Sequence, residues 1–183
     1  WVSQGHMASA SAQLNELIAL DGELPVALRA SLHRVTGVLA HRTGDVTRAE
    51  QLFGQSLDFA RQAGDRRQQG LAHRQLGFLF AHEQRFADSA AHMEPALELA
   101  RETGDERWAS NLLNDMGVLA LYEGRLQDAE WLYSESLALR SKLEDAWGIA
   151  GSLGNLGEIA AKLGQTKLAR ERLSQSLNGF WQL

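Results

Sequence analysis

The chain has 183 residues, a formal net charge of −5 and no cysteine. Its length can bury an ordinary core. The acidic balance excludes the basic footprint of a nucleic-acid binder, and the missing cysteine excludes a disulfide framework and a thiolate nucleophile. No apolar run reaches the roughly 18–20 residues that span a bilayer, and no signal peptide opens the chain; the sequence leans towards the cytoplasm.

Gly5-His6-Met7 has the look of a vector scar, and residues 1–7 are set aside as tag. Residues 8–22 hold one helix's worth of apolar positions ending at Asp21-Gly22, an N-terminal half-repeat. Pro25 suits the first turn of the next helix, where its missing N–H costs nothing. Helices are then predicted in pairs, over about 26–42 and 46–63, 67–82 and 86–103, 107–122 and 126–143, and 147–162 and 166–180. With their turns these pairs form repeats at 26–64, 66–104, 106–144 and 146–183, all within one domain over 8–183. Gly44, Gly124 and Gly164 punctuate the pairs, since glycine takes positive φ just past a helix end. Between pairs, Gly64-Asp65 and Gly104-Asp105 do the same, with Asp able to N-cap the next helix. Glu144 replaces that glycine before Asp145. The chain stops at Phe180-Trp181-Gln182-Leu183, inside a repeat, and is expected to be a piece of something longer.

The pairs keep a period of 40 without insertion or deletion. Gly37, Gly77, Gly117 and Gly157 form one column, each 40 after the last (77−37, 117−77, 157−117). Ala49, Ser89, Ala129 and Ala169 form a small column, and Phe53, Met93, Tyr133 and Leu173 a bulky one. A fixed period in this range is the signature of stacked repeats. Glycine inside a helix costs about 1 kcal/mol relative to alanine. Close approach of the paired helix explains it, with the small column opposite the glycine and the bulky column filling the space between units.

Leu76-Gly77 with Phe80, then Phe86, Ser89 and Met93, resembles the tetratricopeptide repeat, as does Leu156-Gly157 with Ala160, Ala169 and Leu173. The resemblance covers about 26–180 and implies an all-α, right-handed α-solenoid of four helical hairpins plus the half-repeat. The usual unit has about 34 residues, so longer helices are expected here. His33, His73, Leu113 and Leu153 occupy the family's first-helix tryptophan column. Residues 145–157, DAWGIAGSLGNLG, with Ser136-Leu-Ala-Leu-Arg140, further resemble the long repeats of large bacterial signalling-ATPase transcription regulators of the maltose-activator and antibiotic-regulator types. There such repeats act as sensor and interaction arms.

The resemblance places the binding surface on the concave wall of first helices. The inward columns there hold Arg34, Arg74, Phe78, Asn111, Asn114, Asp115, Asn155 and Glu158. Asparagine can bond both groups of a peptide backbone, and arginine a carboxylate. The Lys/Asn set of the family's carboxylate clamp is not reproduced, which argues against C-terminal carboxylate capture by that route. Catalysis is not expected, because no P-loop, Gly-x-Ser-x-Gly or His-Glu-x-x-His motif occurs. Gly151, Gly154 and Gly157 lie at helical spacing with no strand before them and mark close packing rather than a phosphate loop. His33 and His73 share a column and are expected to be structural; His41 and His82, 41 apart (82−41), could pair across neighbouring first helices. No metal or cofactor is expected. The leading expectation is a module that binds a protein or peptide partner, without membrane or direct nucleic-acid contact. The alternatives are self-association into a homo-oligomer through exposed solenoid ends and a small-molecule effector site.

Overall fold

The computed structural model describes residues 13–14, 16–19, 22 and 24–183, and the statements that follow concern these. Residues 1–7 and much of the predicted half-repeat lie outside them; 13–14 and 16–19 are helical. Eight long helices follow among the described residues: α1 Val26–Arg42, α2 Val46–Gln62, α3 Arg66–His82, α4 Phe86–Glu102, α5 Glu106–Tyr122, α6 Leu126–Lys142, α7 Ala146–Lys162 and α8 Thr166–Trp181. Their bounds agree with the predicted ones to within one residue. The described residues contain no strand.

The first seven of these helices end in the same way. The N–H three residues past the helix end returns to a carbonyl five positions back: Asp45 to Ala40, Asp65 to Ala60, Arg85 to Phe80, Asp105 to Ala100, Arg125 to Ala120, Asp145 to Arg140 and Gln165 to Ala160, all within 2.8–3.1 Å. That closure needs a left-handed residue. Gly124 supplies it at φ +75°, but Gln84 and Glu144 are held at +58° and +52° in the same position. The side chains of Asp45, Asp65, Asp105 and Asp145 each accept the N–H three residues on, so one turn closes one helix and opens the next.

Two compact units make up the chain, one up to Leu99 and one from Ala100. In both, the glycine column decides how a hairpin packs. A Cβ at Gly37 would lie 2.6 Å from the Phe53 ring, at Gly77 2.8 Å from Met93, at Gly117 2.7 Å from Tyr133 and at Gly157 2.8 Å from Leu173. The expected arrangement is corrected by this. The bulky column lies on the glycine of its own hairpin, and the small column is not what meets the glycine; Phe53 also shares a core cluster with Ala72, Leu76 and Leu79 of the next hairpin. The cost of glycine in a helix is offset by burying a large side chain, and Phe53, Met93 and Tyr133 are at most 1% exposed. Buried hydroxyls add to the register: Ser56 donates to the Ala30 carbonyl at 2.7 Å and Ser136 to that of Ser110 at 2.8 Å, each from second helix to first.

Candidate functional site

First helices of neighbouring repeats lie side by side within each unit. In the first, the Arg34 Nε donates to Gln68 Oε1 at 3.3 Å across α1 and α3, and the His41 and His82 rings meet edge to face at 5.0 Å. In the second, Asn155 Nδ2 donates to Asn114 Oδ1 at 3.0 Å across α5 and α7. All eight candidate residues sit on first helices and none is buried; Asn111 and Glu158 are exposed, and the other six are half-buried.

Some of these residues are brought together and others are not. Arg74 stacks its guanidinium 4.9 Å over the Phe78 ring one turn along its own helix. Glu158 pairs with Lys162 at 3.6 Å, also on its own helix. Asn114 and Asn155 bond each other, while Asn111 accepts from Arg140 Nη2 at 3.2 Å. Arg34 is partly desolvated, which lowers its pKa.

Two groups on second helices reach this wall from behind, and sequence reasoning missed both in that role. Tyr133 lies buried over Gly117, and its phenol is pushed up to about 12 by burial first and then by the negative charges of Glu158 and Asp115. Arg140 is 8% exposed and donates to Gly148 O, Ser152 Oγ and Asn111 Oδ1. The available signal was a break in the columns. The residues 80 and 40 before Arg140 are Ala60 and Ala100, and opposite it Gly148 replaces the Gln68 and Trp108 of earlier repeats.

The described histidines meet one another, a phenylalanine ring or a backbone carbonyl. His33 is buried, with Nδ1 2.9 Å from the Arg29 carbonyl and its ring 4.9 Å from Phe59. His73 and His92, which the sequence did not connect, place their Nδ1 atoms 3.0 Å apart. Only one of two such nitrogens can carry the proton between them. The His73 imidazole is pushed down to about 4, chiefly by burial and then by His92 and Arg61. Among the described residues no three histidine or carboxylate groups cluster as a metal site, and no helix is long and apolar enough to cross a membrane.

A protein-family model, "Tetratricopeptide repeat", matches residues 68–142 and 108–180. A search of curated proteins finds no match. Among solved structures, BtubC (BKLC) from P. vanneervenii is similar at a TM-score of 0.86 and 18% identity, over 97% of this chain and 74% of that one. A Signal Transduction ATPase with Numerous Domains (STAND) protein with a tetratricopeptide repeat sensor, from Pyrococcus horikoshii, is similar at 0.87 and 15% identity, over 98% of this chain but 28% of that one. A Rap protein complexed with Competence and Sporulation Factor is similar at 0.80 and 13% identity, over 97% of this chain and 50% of that one. At these identities the likeness is one of fold.

Proposed function

Because the chain belongs to the tetratricopeptide repeat family, we propose that it is a non-catalytic interaction module that holds an extended peptide or protein segment against its first helices. The Asn114–Asn155 pair carries the reading. Their mutual bond uses the Asn155 amide N–H and the Asn114 carbonyl, leaving the Asn114 amide protons and the Asn155 carbonyl as an adjacent donor and acceptor. That is the complement of a peptide unit. Arg74 over Phe78 adds a charged and apolar contact on the first unit's wall. Affinity then comes from apolar burial on a preformed surface and selectivity from the amides and arginines. The likeness to a STAND protein's repeat sensor supports a finer proposal, that the module is the sensor or interaction arm of a larger regulatory protein, of the bacterial kind that its long repeats resemble.

The test is capture of binding partners by the tagged protein and by an Arg74→Ala/Asn114→Ala variant of unchanged helicity. The variant should recover much less partner; equal recovery would remove the first-helix wall as the binding surface. A second reading, self-association, is favoured by α8, where Leu177 and Trp181 are 62% and 87% exposed.

A further inference from the structure

Arg140 is a buried charge that the structure leaves without a counter-charge in contact. Its three hydrogen bonds go to neutral acceptors: Gly148 O at 3.0 Å and Ser152 Oγ at 2.8 Å from Nη1, and Asn111 Oδ1 at 3.2 Å from Nη2. Nε is inaccessible and has no partner, and the second Nη2 proton is unused. A guanidinium in this position costs free energy unless something ionic meets it. Its neighbours do not require it either. Ser152 lies four residues after Gly148 on α7, so its hydroxyl can donate to the Gly148 carbonyl by itself.

The surroundings are shaped to admit this side chain. A Cβ at Gly148 would lie 2.5 Å from Asp145 Oδ2, 2.7 Å from Arg140 Cδ and 2.9 Å from Nε, so the glycine makes room for the capping carboxylate and the arginine shaft together. Nη1 lies 3.9 Å from where a Gly151 Cβ would be. Gly151 and Asn111 are one repeat apart in the same wall column (151−111 = 40), and Asn111 is exposed. The guanidinium therefore comes to the wall from behind, between an exposed amide and a residue with no side chain to cover it.

We propose that Arg140 anchors a carboxylate of the bound segment at this point of the α5–α7 wall, through Nη2 with the Asn111 amide as a second donor. The proposal rests on the reading of that wall as a peptide-binding surface. A charge-assisted bond made in a largely desolvated setting is stronger than its neutral counterpart and satisfies the stranded charge. Asp145 and Asp115 act on Arg140 through space. Asp145 is already engaged, capping Gly148 N and pairing with Arg107 at 3.4 Å. With these carboxylates nearby the site suits one carboxylate rather than a polyanion. The anchoring group comes from a second helix, unlike the wall residues on first helices.

The experiment follows the Arg140 Nε–H resonance of the whole chain during titration with three probes. These are acetyl-Ala-Asp-Ala-Asp-Ala-amide, its asparagine counterpart, and acetylated pentaalanine with a free C-terminus. The aspartate peptide should shift the resonance saturably, raise the melting temperature and bind about tenfold more weakly to Arg140→Met; the asparagine peptide should not move the resonance. The free-terminus probe separates a side-chain from a terminal carboxylate. Arg140→Met should melt at or above the wild type. If no probe moves the resonance in the wild type, or Arg140→Met binds the aspartate peptide equally well, the proposal is overturned. Asn114→Ala separates the two readings. If it binds every probe as the wild type does while Arg140 still responds, the peptide wall fails and the anion site stands. If it weakens every probe while Arg140→Met changes nothing, the wall stands and the anion site fails.

Discussion

Gly117 and Gly54 are both glycines inside helices, yet alanine should act on them in opposite directions. At Gly117 a Cβ would come within 2.7 Å of the buried Tyr133 ring, and Gly117→Ala should destabilise by about 1–3 kcal/mol. At Gly54 nothing lies within 4 Å, and Gly54→Ala should stabilise by about 0.5–1 kcal/mol through helix propensity. Urea unfolding of the two variants checks the sign. The left-handed residues give another contrast. Gln84 and Glu144 sit at positive φ where other turns have glycine, so Gln84→Gly and Glu144→Gly should each gain about 1 kcal/mol. A loss on either substitution would show that the side chain contributes more than its backbone costs. His73 makes stability depend on pH. Its folded pKa of about 4 lies below the ordinary 6.5, so the unfolded chain binds more protons between those values. The stabilising contribution is complete above about pH 6.5 and is lost as pH falls towards 4. Between pH 7 and 5 this amounts to about 1–2 kcal/mol. Thermal melts of His73→Gln should be flatter over that range; an unchanged pH slope would show that the imidazole is not the group responsible.

The helices owe their even lengths to their ends. Of the seven helices that follow one of these closures, six are 17 residues long and α8 has 16; the turns between them differ mainly in how the next helix is opened. Asp105 caps α5 by accepting from Trp108 N at 2.9 Å, and Asp105→Ala should cost about 1 kcal/mol. At α8 the N-cap is Gln165, with φ −83° and ψ 62° and no side-chain cap bond. This backbone is close to that of Asp105, at −82° and 79°, so Gln165→Asp should add about 0.5–1 kcal/mol. Calorimetric melting of both substitutions measures what one capping bond is worth in this chain.

For the molecule as a whole, the largest exposed apolar groups set the expectation. Trp147 and Trp181 are 68% and 87% exposed, and the Trp147 ring stands edge-on to Phe180 at 4.8 Å. Together with Leu177 they line the second unit's last hairpin. If this surface mediates self-association, light scattering should show a mass that rises with concentration, and Leu177→Glu/Trp181→Glu should hold the chain at monomer mass without lowering its melting temperature. A constant monomer mass for the wild type would leave peptide binding as the reading that stands.

The places of the helices and turns were legible from residues alone, because the forces that set them are local. Apolar spacing, glycine at positive φ and aspartate at a cap each act within about five residues, and a gap-free period of 40 repeats them until chance is excluded. The same register placed Arg34, Arg74, Phe78, Asn111, Asn114, Asp115, Asn155 and Glu158 on first helices, where the structure has them. What only the tertiary structure decided were contacts between distant positions. Gly37 meets Phe53, His73 meets His92, and Arg140 reaches Asn111. Such meetings depend on how two helices rotate and how closely they approach, and that is settled by packing the whole set of side chains at once rather than by any one stretch of chain.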